Sequence, residues 1–267
     1  MTALQSMSEF EAFMLALGAA MPRILGLFMA IPVFQSELLP TLLRLGVAAS
    51  FGLVVAPTLV PALQTQALGL LPLVLLVVVK EAFVGFVLGC LLAVPFWAFE
   101  ALGFFIDNQR GASIAATLNP LTGNDSSPLG LLFNQAFIVF FLLAGGLLLL
   151  LEILYGSFQL WPVFAWMPTL RPESVPFFIS QLMRMVELGL LLAAPGLVAM
   201  LLAEIGLALI SLAVPQLQVF FLAMPIKSGL VLLVLVIYLS TLFGYGGEQI
   251  QRLREALPLL QGQWRGA

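Results

Sequence analysis

The feature that most constrains this chain is the length of its apolar blocks and how little charge interrupts them. They fall at 12–33, 42–61, 68–106, 129–154, 177–214 and 220–243. A helix needs about 20 apolar residues to cross a bilayer, and every block reaches that length. Charged residues make up 9% of the 267 and hydrophobic ones 62%, against about 25% charged in a soluble domain. A chain of this size cannot hide so much apolar surface from water, so lipid must take the place of water around it. The expected class is all-α: a polytopic membrane protein of long, proline-broken helices and helical hairpins.

Two blocks exceed what one crossing needs. Drawn as one helix, 68–106 would run roughly 58 Å, about twice the hydrocarbon thickness. It contains Pro95, and 177–214 contains Pro195. Proline in a helix interior removes a donor and crowds the preceding turn. Each block is therefore one kinked helix or a hairpin, and the residues leave both open. Gly85 and Gly89 have the spacing that lets two helices approach closely. Pro40 is placed to begin the second helix, where its missing N–H costs nothing. Trp161 and Trp166, in 155–176, suit a membrane interface.

The opening residues carry Glu9 and Glu11 and no cation before Arg23. That departs from the positive start of a cleaved signal, so the first block is expected to be retained. Arg252, Arg254 and Arg265 place the C-terminal end on the cytoplasmic side. The expected division is a helical membrane domain over 1–247 and a short cytoplasmic tail over 248–267.

Composition also removes function classes. There are 10 basic and 13 acidic residues, a net charge of −3, no histidine and one cysteine. Without a basic run, nucleic acid is not an expected partner. Without histidine, a Ser-His-Asp or Cys-His centre cannot form, and zinc or haem would lack their usual ligands. No phosphate-loop pattern is present. The chain is expected to be no enzyme and to hold no metal or cofactor.

Charges inside apolar blocks are costly and mark either function or assembly. Lys80, Glu81, Glu100, Glu187 and Glu204 are the buried-charge candidates, and the plainer reading for each is a contact that fixes packing. Lys80 and Glu81 are adjacent and point in different directions on a helix, so they are not expected to neutralise each other. Glu100 and Asp107 share a face if helical, and Asp107 and Arg110 have pairing distance. Lys227 follows Pro225 at the start of the last block.

The most polar internal stretch is 107–128, DNQRGASIAATLNPLTGNDSSP. Its second half reads as loop. Asn119-Pro120 and Gly123-Asn124 supply turn geometry, and Gly111 permits a left-handed backbone. A flexible loop of small residues beside a pore would serve as a plug; the plainer reading is a connection. Broken helices also keep open a stand-alone secondary transporter of a small solute, and a third reading is a membrane scaffold with no pore.

Several stretches in order resemble one family. IDNQRGASIAATLNP with the following GNDSSPLG resembles the central stretch of the T component of type III secretion export gates, whose flagellar counterpart is the R protein. PQLQVFFLAMPIKSG, over 215–229, resembles another segment of that family, with Gln218 where asparagine is frequent. PRILGLFMAIPVF and LLPTLLRLGVAAS, with Pro22, Arg23, Pro40 and Arg44, resemble its opening. The resemblance implies a single-copy inner-membrane subunit of a hetero-oligomer with the R, S, U and V components (flagellar P, Q, B and A). It implies unfolded secreted proteins as cargo, lipid contact, and a gate raised partly into the periplasm. It places a plug or constriction on 106–124: Ile106, Asp107, Asn108, Gln109, Arg110, Gly111, Asn119, Pro120, Gly123 and Asn124. It places a gate or subunit contact on Pro215, Gln216, Gln218, Phe220, Pro225 and Lys227. The wording DNQRGAS fits the virulence branch better than the flagellar one.

Overall fold

The computed structural model describes residues 2–35, 38–64, 71–111, 127–165, 174–214 and 219–264, and all their regular structure is helical. In chain order the helices are α1 (Thr2–Ala30), a short 3-10 turn (Pro32–Phe34), α2 (Thr41–Gln64), α3 (Leu71–Gln109), α4 (Pro128–Leu143), α5 (Gly146–Leu160), α6 (Ser174–Ala213), α7 (Val219–Leu253) and α8 (Ala256–Trp264). Five of them are long and apolar enough to cross a membrane, and the broken pair α4 and α5 adds a sixth crossing if it counts as one span. The protein is a polytopic all-α membrane protein.

Both overlong blocks are single helices. α3 has 39 residues and passes through Pro95, and α6 has 40 and passes through Pro195. The hairpin alternative is thereby removed for these blocks. In an apolar setting the neighbouring helix supplies what one lost backbone bond removes, so proline is tolerated inside a span. The break falls in the block read as continuous, 129–154. There Gly145 takes a left-handed φ of 78°, which separates α4 from α5. The polar stretch also begins later than its composition implies, because Asp107, Asn108 and Gln109 are the last residues of α3. At the other end, 248–267 begins within α7 and continues into α8.

The chain divides into two compact units. The first comprises Met1–Ala93, Gly145–Phe177 and Arg252–Ala267. Its core gathers Ala16 and Ala20 of α1, Val55, Ala56 and Leu59 of α2, and Val163 beyond α5. Phe28 stacks on Phe34 at 3.9 Å between ring centres, and Phe51 meets both edge-on. Small residues bring α1 and α3 nearly backbone to backbone. A Cβ on Gly85 would overlap the carbonyl of Arg23, one on Gly26 would overlap that of Ala82, and one on Gly89 would crowd Leu27. The spacing of Gly85 and Gly89 therefore does what the sequence implies, and its partner helix is α1.

The second unit comprises Val94–Ala144 and Phe178–Gln251. Its centre is aromatic: Phe96 meets Phe137 and Phe141 edge-on at 5.0 Å, and Phe99 stacks on Phe137 at 4.3 Å. Gly103 lies against the backbone of Leu129 and Gly130, so α3 and α4 also pack at short range.

Gly85→Ala is expected to lower the thermal midpoint in detergent, since overpacking costs about 1–3 kcal/mol and the obstruction is backbone. Gly18→Ala, in open space on α1, should leave the midpoint unchanged or raise it slightly. Equal midpoints for the two variants would contradict the close α1–α3 packing.

Candidate functional site

Among the described residues, each unit contains an organised polar site. In the first, α1 and α3 carry Arg23, Lys80 and Glu81 into an apolar interior, where they are 0%, 5% and 0% exposed. Arg23 donates through Nε to Glu81 Oε2 at 2.7 Å and through Nη2 to Oε1 at 3.0 Å, a two-pronged pair. Nη2 also donates to the carbonyl of Trp161 at 2.8 Å, Nη1 reaches Ser157 Oγ at 3.3 Å, and Phe158 lies under the guanidinium at 4.2 Å. A planar fork suits this bidentate and stacked role in a way a lysine would not.

Lys80 also pairs with Glu81, at 2.8 Å, which corrects the expectation that these adjacent residues ignore each other. Their Cβ atoms do diverge around the helix. The long lysine stem brings its ammonium back to the carboxylate, and burial strengthens the attraction between them. The ammonium further donates to the carbonyls of Val163 at 2.5 Å, Ala165 at 3.0 Å and Pro162 at 3.4 Å. Two cations thus share one anion, and the backbone oxygens of 161–165 take up the remaining positive charge. The cluster fixes the turn that follows α5.

The second site is at the end of α3. Gly111 adopts a left-handed φ of 82° and its N–H bonds back to Asn108, which closes the helix as glycine commonly does. Where the chain is described again, Ser127 caps α4 by accepting from the N–H of Gly130 at 2.9 Å, with Pro128 in the first turn. Asp107 joins the two ends and is 3% exposed. Its Oδ2 accepts from Ser127 Oγ at 2.6 Å and from the N–H of Leu129 at 3.0 Å. Its Oδ1 accepts from Arg110 Nε at 2.8 Å. A carboxylate at a helix N-terminus also meets the favourable end of the helix dipole. Asp107 is thus the knot between the two stems of the polar stretch.

The other expected site residues divide clearly. Ile106 is buried, while Asn108 and Gln109 are exposed. Arg110 and Gly111 share a small recess of about 260 Å³ with Met224, Pro225 and Ser228. The structure therefore brings the start of the polar stretch and the Pro225 segment together. Asn119, Pro120, Gly123, Asn124, Pro215, Gln216 and Gln218 lie outside the described residues, as does the side chain of Phe220. Lys227 pairs with Glu204 at 3.4 Å.

Among the buried-charge candidates, Lys80 and Glu81 are buried. Glu100, Glu187 and Glu204 are exposed on this chain. Glu100 accepts from Asn134 Nδ2 at 2.9 Å, so Glu100 and Asp107 do share a face, the one toward α4. Sequence reading missed Arg23 and Ser157 as site residues. The available signal was arithmetic: Arg23 is a cation inside an apolar block and needs an acid that is also inside one.

Comparison with known proteins agrees with this architecture. Residues 14–253 match the family described as bacterial export proteins, family 1. The chain is 40% identical over 243 residues to Yop proteins translocation protein T of Yersinia pestis, covering 90% of this chain and 92% of that protein. It is 35% identical to surface presentation of antigens protein SpaR of Salmonella typhimurium, covering 86% of each. It is 30% identical to flagellar biosynthetic protein FliR of Bacillus subtilis, covering 88% of each. The chain belongs to bacterial export protein family 1, and the resemblance to type III export-gate components holds at family level.

The charge count orders two substitutions in the first site. Glu81→Gln leaves two buried cations without an acid and should cost about 3–5 kcal/mol. Arg23→Met leaves the neutral Lys80–Glu81 pair and should cost less. Thermal unfolding in detergent reads the order, and Arg23→Met unfolding first would contradict the shared-anion arrangement.

Proposed function

We propose that this chain is a single-copy subunit of the inner-membrane export gate of a bacterial type III secretion system. In this reading it completes a helical channel for unfolded protein substrates and contributes a plug or constriction over 106–124. The observation that carries the reading is the Asp107 knot. A polar stretch rich in small residues, set between apolar helices, has both stems tied to one buried carboxylate. Such a stretch can yield in its middle while its ends stay in register.

The partners are the R, S, U and V components of the same gate, and the cargo is unfolded secreted protein. The recess that Arg110 and Gly111 share with Pro225 supports a joint role for the two segments in gating or subunit contact. Bilayer lipid and apolar partner helices together cover the outward faces, with part of the assembly raised into the periplasm and the C-terminal tail in the cytoplasm. The chain performs no catalysis and uses no cofactor: it is a passive conduit, and a separate motor energises export. The relatives named for protein translocation and antigen presentation are more similar, at 40% and 35%, than the flagellar one at 30%. That order supports the virulence branch.

Deleting 111–117 should raise ion leak through the assembled gate and disturb secretion. Asp107→Ala should raise leak as well, and Asp107→Asn less, because an amide keeps one acceptor. Leak and secretion both at wild-type levels in an intact assembly would remove the plug role.

A further inference from the structure

In the second unit, α6 leaves a long apolar face open. Leu182, Met183, Val186, Leu190, Leu191 and Val198 are all about half exposed or more. Glu187 stands in this face and is itself exposed. Met183, Leu190 and Leu191 are four before, three after and four after it, so they surround it on the same side of the helix.

Four other acids in the apolar helices find a side-chain partner within the chain. Glu81 has Arg23 and Lys80, Glu100 has Asn134, Asp107 has Arg110, and Glu204 has Lys227. Among the described residues Glu187 has none, nor have Glu9 and Glu11 on α1, Glu152 on α5 or Glu248 near the end of α7. The nearest candidate for Glu187 is Arg184, three residues earlier, but its Nη2 donates instead to Gln249 Oε1 of α7 at 3.2 Å. Glu187 therefore keeps a carboxylate in an apolar surface that its own chain does not neutralise.

Neither plain solvent suits that surface. In hydrocarbon the carboxylate is the misfit, since ionised groups there face protein or water. In water the leucines and methionine are the misfit, since contiguous apolar patches mark contact sites. A second apolar helix carrying a cation resolves both. We infer that the outward face of α6 is a subunit interface whose partner is an apolar membrane helix presenting a lysine or arginine to Glu187. The inference rests on the export-gate reading and names the chemistry of one of its contacts.

The test uses the full chain co-expressed with the small membrane subunits of its own gate and purified in mild detergent. Glu187→Lys is expected to lower recovery of the hetero-complex about tenfold or more, and Glu187→Gln by less, as loss of one member of a buried pair does. Lysine or arginine to glutamate on one apolar helix of a partner should restore assembly with Glu187→Lys. Glu187→Leu guards against misfolding: the chain alone should keep its thermal midpoint while the complex is still lost. Wild-type recovery with Glu187→Leu and Glu187→Gln would mean that the face meets lipid, and would overturn the inference while leaving the gate reading intact. Failure of every partner substitution to rescue would overturn it too. A wild-type chain that joins no other membrane subunit would overturn both.

Discussion

Charge in an apolar interior must be matched where it stands, and the ion cluster of Arg23, Glu81 and Lys80 is where this chain meets that demand most fully. Arg23 on α1 and Glu81 on α3 can reach each other because Gly26, Gly85 and Gly89 let the two backbones come close. Larger residues at those positions would hold the helices apart and strand two charges. The packing and the pairing are therefore one constraint. The surplus positive charge is then spent on the carbonyls of 161–165, so the same cluster decides how the chain leaves α5. A buried pair of this kind specifies an arrangement more than it adds stability.

The second unit applies the same rule at a place where the chain must become polar. Asp107 is almost wholly buried, yet every contact it makes serves the stems of a stretch that composition marks as flexible. Arg110 neutralises it, Gly111 ends α3, and Ser127 begins α4 while donating to it. The outcome is a firm frame at both stems of the stretch, which suits the seal proposed for it. The nearby Pro225 recess ties the frame to the segment that the family resemblance connects with gating.

Much of this was legible in the residues. Apolar block length gave the class, glycine spacing gave a close helix contact, and Gly111 gave a left-handed end to α3. Two matters were not legible. Proline suggests a break at Pro95 and Pro195, but an apolar environment leaves a helix no better alternative for its backbone, so both helices continue. Gly145 breaks a block that has no proline; only its Gly145-Gly146 pair marks the place, and a glycine pair inside an apolar run signals close packing as readily as a break. Side-chain reach was the other limit. Helical periodicity places Cβ atoms, and on that basis Lys80 and Glu81 diverge; the length of the lysine stem and the burial of both groups reunite them. The exposure of Glu187 and Glu204 likewise depends on which helix faces the chain itself covers, and periodicity in a uniformly apolar helix does not distinguish its faces.

The account turns on where the stretch over 106–124 sits once the gate is assembled. A density map of the complete membrane complex at side-chain resolution decides this. The account predicts that the stretch lies across the central passage, with Asp107 holding its two stems at the wall. Density placing it on the outer rim against lipid, with the passage closed by other segments, would contradict the account.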